Sequence, residues 1–296
     1  MPPTTSNTRF SINMMPRRTE TRPFLTSLML LGAALALFAC PSAGARAADK
    51  KGDESAEKIQ AALKEAKIGF DTNEDGEITS VTFGSQEQGP ISVANLKLVA
   101  KIKTLKSLHS MLSFDHVATD ELAAMAAIKS LETISLDCCK FTGSDLKKLS
   151  TLPNLTSIQL TDSTIDDNGA KGISTIKTLT TLKIRGNQFS DAGMKSICNL
   201  TNLTTLNLAK NIDDRQGGKP PTITDAGVAW LKGMKQLKSL NLSGNQITDG
   251  SLKTILALKT LERLNLSDTK LTAAGEAKVK EALPDCWIQT KDPFAE

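Results

Sequence analysis

The stretch Leu237-Lys238-Ser239-Leu240-Asn241-Leu242-Ser243-Gly244-Asn245-Gln246-Ile247-Thr248-Asp249 decides the fold. Side chains of an extended chain alternate between two faces, so Leu240 and Leu242 share one face and predict a short strand. Thr248 then offers a hydroxyl at a helix N-cap, and Asp249 puts an acid in the first turn, where the helix dipole favours negative charge. The same pattern, L-x-x-[LI]-x-[LI], starts at Leu131, Leu155, Leu179, Leu203, Leu237 and Leu261, separated by 24, 24, 24, 34 and 24 residues. Degenerate blocks start at Ile78 and Leu105. After each strand come apolar residues spaced by three, such as Met194, Ile197 and Leu200, which suit a helix burying one stripe. A strand and a helix on so short a loop cannot cover both of their apolar faces, so the blocks must stack. The ninth residues are Cys139, Ser163, Asn187, Asn211, Asn245 and Thr269. An Asn turned inward there can satisfy backbone groups of the neighbouring turn that stacking removes from water.

These residues resemble the leucine-rich repeats, in their ribonuclease-inhibitor-like form, whose motif is L-x-x-L-x-L-x-x-[NC]-x-[IL]-[ST]-D-x-G. Leu237 to Asp249 is an almost complete match, and the resemblance runs from about Ile78 to Ile288. It implies an α/β solenoid, a curved horseshoe segment with parallel strands on the concave face and helices on the convex face, and a protein-binding role. The first two blocks carry insertions, and the last has Ala273 where the motif has Asp.

A domain plan follows: 1–47 leader and linker, 48–77 cap, 78–288 about eight repeats, 289–296 tail. Glu57 to Lys67 reads as a helix with Ile59, Leu63 and Ala66 on one side, followed by a hairpin into Ile78-Thr79-Ser80-Val81-Thr82-Phe83. Asp49 to Ser55 reads as a flexible charged spacer. At the other end Leu283-Pro284-Asp285-Cys286-Trp287-Ile288 reads as an edge segment, with Trp287 expected to cover the last core.

The formal charge of +4 belongs to the leader. Up to Ala47 there are Arg9, Arg17, Arg18, Arg22, Arg46 and a single acid, Glu20, which leaves 31 of the 36 basic and 31 of the 32 acidic residues downstream. A neutral mature chain gives no reason to expect a nucleic-acid partner. The leader joins an arginine-bearing n-region to an uncharged stretch from Phe24 to Ala39, as an export signal does. Two exits compete at its end. Leu37-Phe38-Ala39-Cys40 resembles a bacterial lipobox in which Cys40 is lipidated, and Ala45-Arg46-Ala47 fits simple cleavage before Ala48. The expected address is the cell envelope or the outside, with membrane contact only through a lipid on Cys40.

Asp71-Thr72-Asn73-Glu74-Asp75-Gly76-Glu77-Ile78 reproduces the first half of an EF-hand loop, but position twelve is Thr82, where calcium needs a bidentate Glu. A hairpin turn is the expected reading, and a cation at Asp71 to Asp75 is the alternative. Cys138, Cys139, Cys198 and Cys286 lack metal-ligand spacing and are expected to be reduced thiols, with a vicinal Cys138–Cys139 disulfide or a reactive Cys138 as the alternative. No cofactor or metal is implied. The only histidines are His109 and His116, and no motif for hydrolysis, phosphate or dinucleotide binding is present, so catalysis is not expected.

Two functions are compatible with this pattern. In the first, the concave strands present column five (Ser135, Gln159, Lys183, Asn207, Asn241, Asn265) and column seven (Asp137, Thr161, Arg185, Ala209, Ser243, Ser267) to a protein or an extended polymer. Lys183, Arg185 and Lys210 then form a cationic centre. The extra residues of the long block, within Asn211 to Pro221, would add a wall beside it. In the second, the protein is a structural component of the envelope whose faces are solvated and hold no tight ligand; the scarcity of Trp, Tyr and Arg in the columns named favours weak or avid binding over a strong single contact.

Overall fold

Position four of every block is buried, and the residues on either side of it are not, which is the signature of a sheet with one covered face. The computed structural model describes residues 50–84, 89–110, 116–141, 143–210 and 223–291. The leader with Cys40 and the insertion from Asn211 to Pro221 lie outside the described residues.

The strands are β1 (Gly69–Thr72), β2 (Ile78–Phe83), β3 (Ser107–Ser110), β4 (His116–Val117), β5 (Thr133–Leu136), β6 (Lys140–Phe141), β7 (Ser157–Gln159), β8 (Thr181–Lys183), β9 (Thr205–Asn207), β10 (Ser239–Asn241), β11 (Arg263–Asn265) and β12 (Trp287–Gln289). Ten of them form one sheet in the order β1-β2-β3-β5-β7-β8-β9-β10-β11-β12, and β4 pairs with β6. Among the described residues only the β1–β2 hairpin is antiparallel. From β2 onward every pair in the large sheet is parallel and in a constant register, with Leu182, Leu206, Leu240 and Leu264 side by side. One repeat per strand has that consequence: the same position recurs about 4.8 Å further along the sheet.

The return path of each block is helical. The α-helices are α1 (Lys50–Glu65), α2 (Val93–Val99), α3 (Thr119–Ala126), α4 (Asp167–Ile173), α5 (Asp191–Ile197), α6 (Asp225–Val228), α7 (Leu252–Ile255) and α8 (Ala273–Ala282). Short 3₁₀ segments at Gly143–Thr151, Ala229–Gly233 and Asp249–Ser251 complete them. The three-residue apolar spacing explains the 3₁₀ content, because side chains at i and i+3 eclipse at three residues per turn. In Gly143–Thr151 this buries Leu146 and Leu149, with Leu152 just beyond.

Between sheet and helices lies one continuous aliphatic core that includes Leu131, Leu155, Leu179, Leu203, Leu237 and Leu261. Each fully buried Leu contributes about 1.5–3 kcal/mol of transfer free energy. Inside that core the ninth-position Asn works as expected. Asn187 Nδ2 donates to the carbonyls of Leu160 (2.7 Å) and Ile184 (2.9 Å), while its Oδ1 accepts from Ile165 N. Asn245 does the same for Leu208 and Leu242, and accepts from Ile223 N.

From α5 to α8 the start of each helix is tied to the block before it. Asp167 accepts from the N–H and hydroxyl of Ser190, Asp225 from those of Thr248, and Asp249 from those of Thr272. The Asp read from sequence as a dipole partner of its own helix is therefore also a clamp on the next one. Ala273 occupies that position in the last block, and β12 is followed by no helix among the described residues.

Two expectations at the ends need correction. The first is the spacer: Lys50 to Ser55 is part of α1, because extending a helix already begun costs less than starting one, even through poor helix formers such as Gly52 and Asp53. The second is Trp287, which does not cover the last core. It is 60% exposed on the open side of β12, and Val279, Leu283 and Cys286 close the core instead.

Candidate functional site

The uncovered face of the sheet carries two parallel columns. Strand register extends column five beyond the sequence-derived set at both ends, giving Thr82, His109, Ser135, Gln159, Lys183, Asn207, Asn241, Asn265 and Gln289. Column three, which sequence reasoning passed over, reads Ser80, Ser107, Thr133, Ser157, Thr181, Thr205, Ser239, Arg263 and Trp287. Seven successive hydroxyls, good cross-strand neighbours on a half-covered sheet, give way to Arg and Trp on the last two strands. The signal was in the sequence: Asp285 lies 24 residues beyond Leu261, so Trp287 falls at position three of one more block. Asp at the leucine position hid it.

The structure brings together most of the residues expected at the site. Gln159, Lys183, Asn207, Asn241 and Asn265 lie in one row. A shallow hollow of about 190 Å³ runs from Lys183 to Trp287 and is floored by Thr205, Asn207, Asn241 and Arg263. Arg185 and Lys210 sit outside it. The Arg185 guanidinium lies 3.7 Å from the Asp162 carboxylate, so its charge is partly spent, and Lys210 N donates to Ser243 O in the turn beyond the strands. In column seven Ala209 and Ser267 are buried.

The amides of the row are oriented. Oδ1 of Asn207 accepts from Ala209 N (3.0 Å), that of Asn241 from Ser243 N (3.0 Å) and that of Asn265 from Ser267 N (2.9 Å). Only an oxygen can face a backbone N–H, so the Nδ2 group is the one left toward solvent. Gln159 is placed differently, with Nε2 toward Asp137 Oδ1 at 3.5 Å.

Columns three and five hold Lys183 and Arg263 and no carboxylate. The acids on the N-terminal margin are occupied: Glu262 meets Lys238 at 2.8 Å and Glu132 meets Lys106 at 3.3 Å. The hydrogen bond and charge of Lys238 hold the Glu262 carboxyl below its ordinary range. The result is an electropositive, donor-rich strip with an exposed indole at one end.

Elsewhere the chemistry is quiet. Asn73 Oδ1 accepts from the N–H groups of Asp75 and Glu77, the geometry of a hairpin turn, and among the described residues no cluster of three or more His, Cys, Asp or Glu is placed to hold a metal. None of the four described cysteines is in a disulfide. No helix among the described residues is long and apolar enough to cross a membrane.

Residues 151–174 and 175–198, and separately 222–271, match family models described as leucine-rich repeats. No curated protein matches the chain in sequence. Among solved structures it is similar to an internalin, InlF, of Listeria monocytogenes, at 22% identity and a TM-score of 0.49, covering 67% of this chain and 50% of that one. A second Listeria monocytogenes internalin, InlC2, gives 18% identity and 0.45, covering 70% and 80%, and a leucine-rich-repeat protein of Leptospira interrogans gives 20% and 0.40, covering 65% and 56%. The chain thus spans half the length of the first of these structures. Repeat spacing, strand register and the family models agree on leucine-rich repeats in residues 151–198 and 222–271, within described strands and helices that stack as an α/β solenoid.

Proposed function

We propose that the protein is an exported, non-enzymatic interaction module of the cell envelope, of the ribonuclease-inhibitor-like repeat type, which holds a protein or extended ligand on the concave, open face of its sheet. The observation that carries this reading is the row of oriented, unspent amide donors at Asn207, Asn241 and Asn265. A ligand rich in carbonyl or carboxylate oxygens would meet the same kind of donor on three adjacent strands. Columns five and seven hold almost no Trp, Tyr or Arg, which favours weak binding, and column three adds Arg263 and Trp287 to the same open face.

Export rests on the leader, with Cys40 either lipidated or cleaved away. Fractionation, with a labelled fatty acid and the Cys40→Ser variant, tests it: cytoplasmic, full-length protein would refute export. Binding is tested by capture from envelope extract with the protein and with an Asn207→Ala, Asn241→Ala, Asn265→Ala variant. A partner retained by the first and lost by the second is expected. Equal capture by both refutes the open face as the site.

A further inference from the structure

We infer that the C-terminal end of the open face is a subsite for an extended acidic peptide, in which Trp287 covers an apolar side chain, Arg263 meets a carboxylate, and the Nδ2 groups of Asn265, Asn241 and Asn207 donate to successive carbonyls. This deepens the reading of the open face as a binding surface and rests on it.

The first ground is the break in column three. A hydroxyl stands there on seven strands in succession, which shows what the fold itself asks for at that position. Arg263 and Trp287, paired directly across β11 and β12, depart from it together. Neither has a folding role in view: Arg263 is exposed and Trp287 is 60% exposed. The other exposed indole, Trp230, lies on the helical side with Lys195 Nζ 5.1 Å from its ring centre. Trp287 has no cation over its ring among the described residues. An indole held on a strand offers a large apolar surface with little rotamer entropy left to lose, and Trp and Arg are the residues that most often dominate binding.

The second ground is hydrogen-bond polarity. With one lone pair of each Oδ1 engaged by its own backbone, Asn207, Asn241 and Asn265 turn their N–H groups outward, while Gln289 at the end of the row has its Nε2 bonded to Lys291 O. A neutral glycan brings hydroxyl donors and acceptors in equal number but no charge, so it leaves Lys183 and Arg263 unmatched. A peptide offers main-chain carbonyls and carboxylates in surplus, and its remaining N–H groups can reach the hydroxyls of Thr205 and Ser239. The third ground is charge: Lys183 and Arg263 are the charged side chains among the residues that line the hollow, and Glu262, the carboxylate next to Arg263, is engaged by Lys238, which favours an anion and speeds its approach.

The test uses a fluorescent synthetic peptide in which Asp and Glu alternate with Phe and Leu, its isosteric Asn/Gln counterpart, and an oligogalacturonate as an anionic glycan. The acidic peptide should bind more tightly than its neutral counterpart by at least about tenfold, and binding should weaken as salt is raised. Arg263→Gln and Trp287→Ala should each weaken it on the order of tenfold. Trp230→Phe should leave it unchanged, and in that background the remaining indole emission should shift as the peptide is added. Should Trp287→Ala lose its fold, Trp287→Phe and Arg263→Lys replace the pair, with partial losses expected. Equal binding of the neutral peptide, indifference to Arg263→Gln, or binding by the oligogalacturonate alone overturns the proposal. If the acidic peptide fails while envelope capture still depends on the three asparagines, this subsite falls and the open-face reading stands. If both fail, both fall.

Discussion

The carboxylate of Asp191 accepts from the backbone N–H of Thr224 at 2.8 Å and from its hydroxyl at 2.6 Å, across 33 residues of sequence. Stacked blocks are thereby joined by a charged hydrogen-bond clamp at the start of every helix from α5 to α8, in addition to the sheet and the shared core.

The clamp explains a glycine. A Cβ added to Gly227 would lie 2.3 Å from Asp191 Oδ1. In a helix, Gly→Ala ordinarily gains about 0.5–1 kcal/mol. Gly227→Ala is therefore expected to destabilise, reversing that sign, by about 1–3 kcal/mol as the bonds to Thr224 are disturbed. Asp191→Ala alone should cost a similar amount, and the double variant much less than the sum. Additive costs in denaturant unfolding would show that the two residues do not interact.

The clamp also sets a pH dependence. Burial would raise the Asp225 carboxyl, but hydrogen bonds from Ser251 and Thr248 outweigh it and hold it below its ordinary value. Asp249 is lowered chiefly by the side-chain and backbone hydrogen bonds of Thr272. A carboxylate with a depressed folded value adds stability that is complete above the unfolded value of about 3.9 and disappears as pH falls through the folded one. Thermal stability should therefore drop below about pH 4, and less steeply in Asp225→Asn, whose stability above that pH is already reduced. An unchanged slope would count against the clamp as its source.

Leu242 is fully buried and Asn241 is half-exposed, so Leu242→Ala should cost about 2–5 kcal/mol. From sequence alone Asn241→Ala is expected to cost under about 0.5 kcal/mol, as an outward residue. The bond from Ser243 N to Asn241 Oδ1 raises that expectation to about 1 kcal/mol. Equal effects of the two substitutions would refute the assignment of faces.

Thiol reactivity should separate the described cysteines. Burial pushes the Cys198 thiol up to about 12. Cys138 is half-exposed, yet burial and the carboxylates of Asp162 and Asp137 push its thiol up as well. Native protein treated with iodoacetamide near pH 8, where an ordinary thiol of pKa about 8.5 is partly ionised, should be labelled slowly at Cys138 and scarcely at Cys139, Cys198 or Cys286. Rapid labelling of Cys198 would show that its helix opens readily.

Period and alternation were local properties of the chain, and so the sequence by itself determined the repeat, the strand at Leu240 to Leu242, the buried leucines, the inward Asn187 and Asn245, and most of column five. Each depends only on where a side chain points within its own block. What lies beside a residue in the next block is a matter of register, and that only the tertiary structure decided. Register placed Arg263 next to Trp287 at the end of a row of hydroxyls, turned Asp162 onto Arg185, and carried each clamping Asp past its own helix to the next. The backbone turn after each strand, rather than register, fixed which atom of Asn207, Asn241 and Asn265 faces outward, because the N–H two residues on is presented only once the chain leaves the strand.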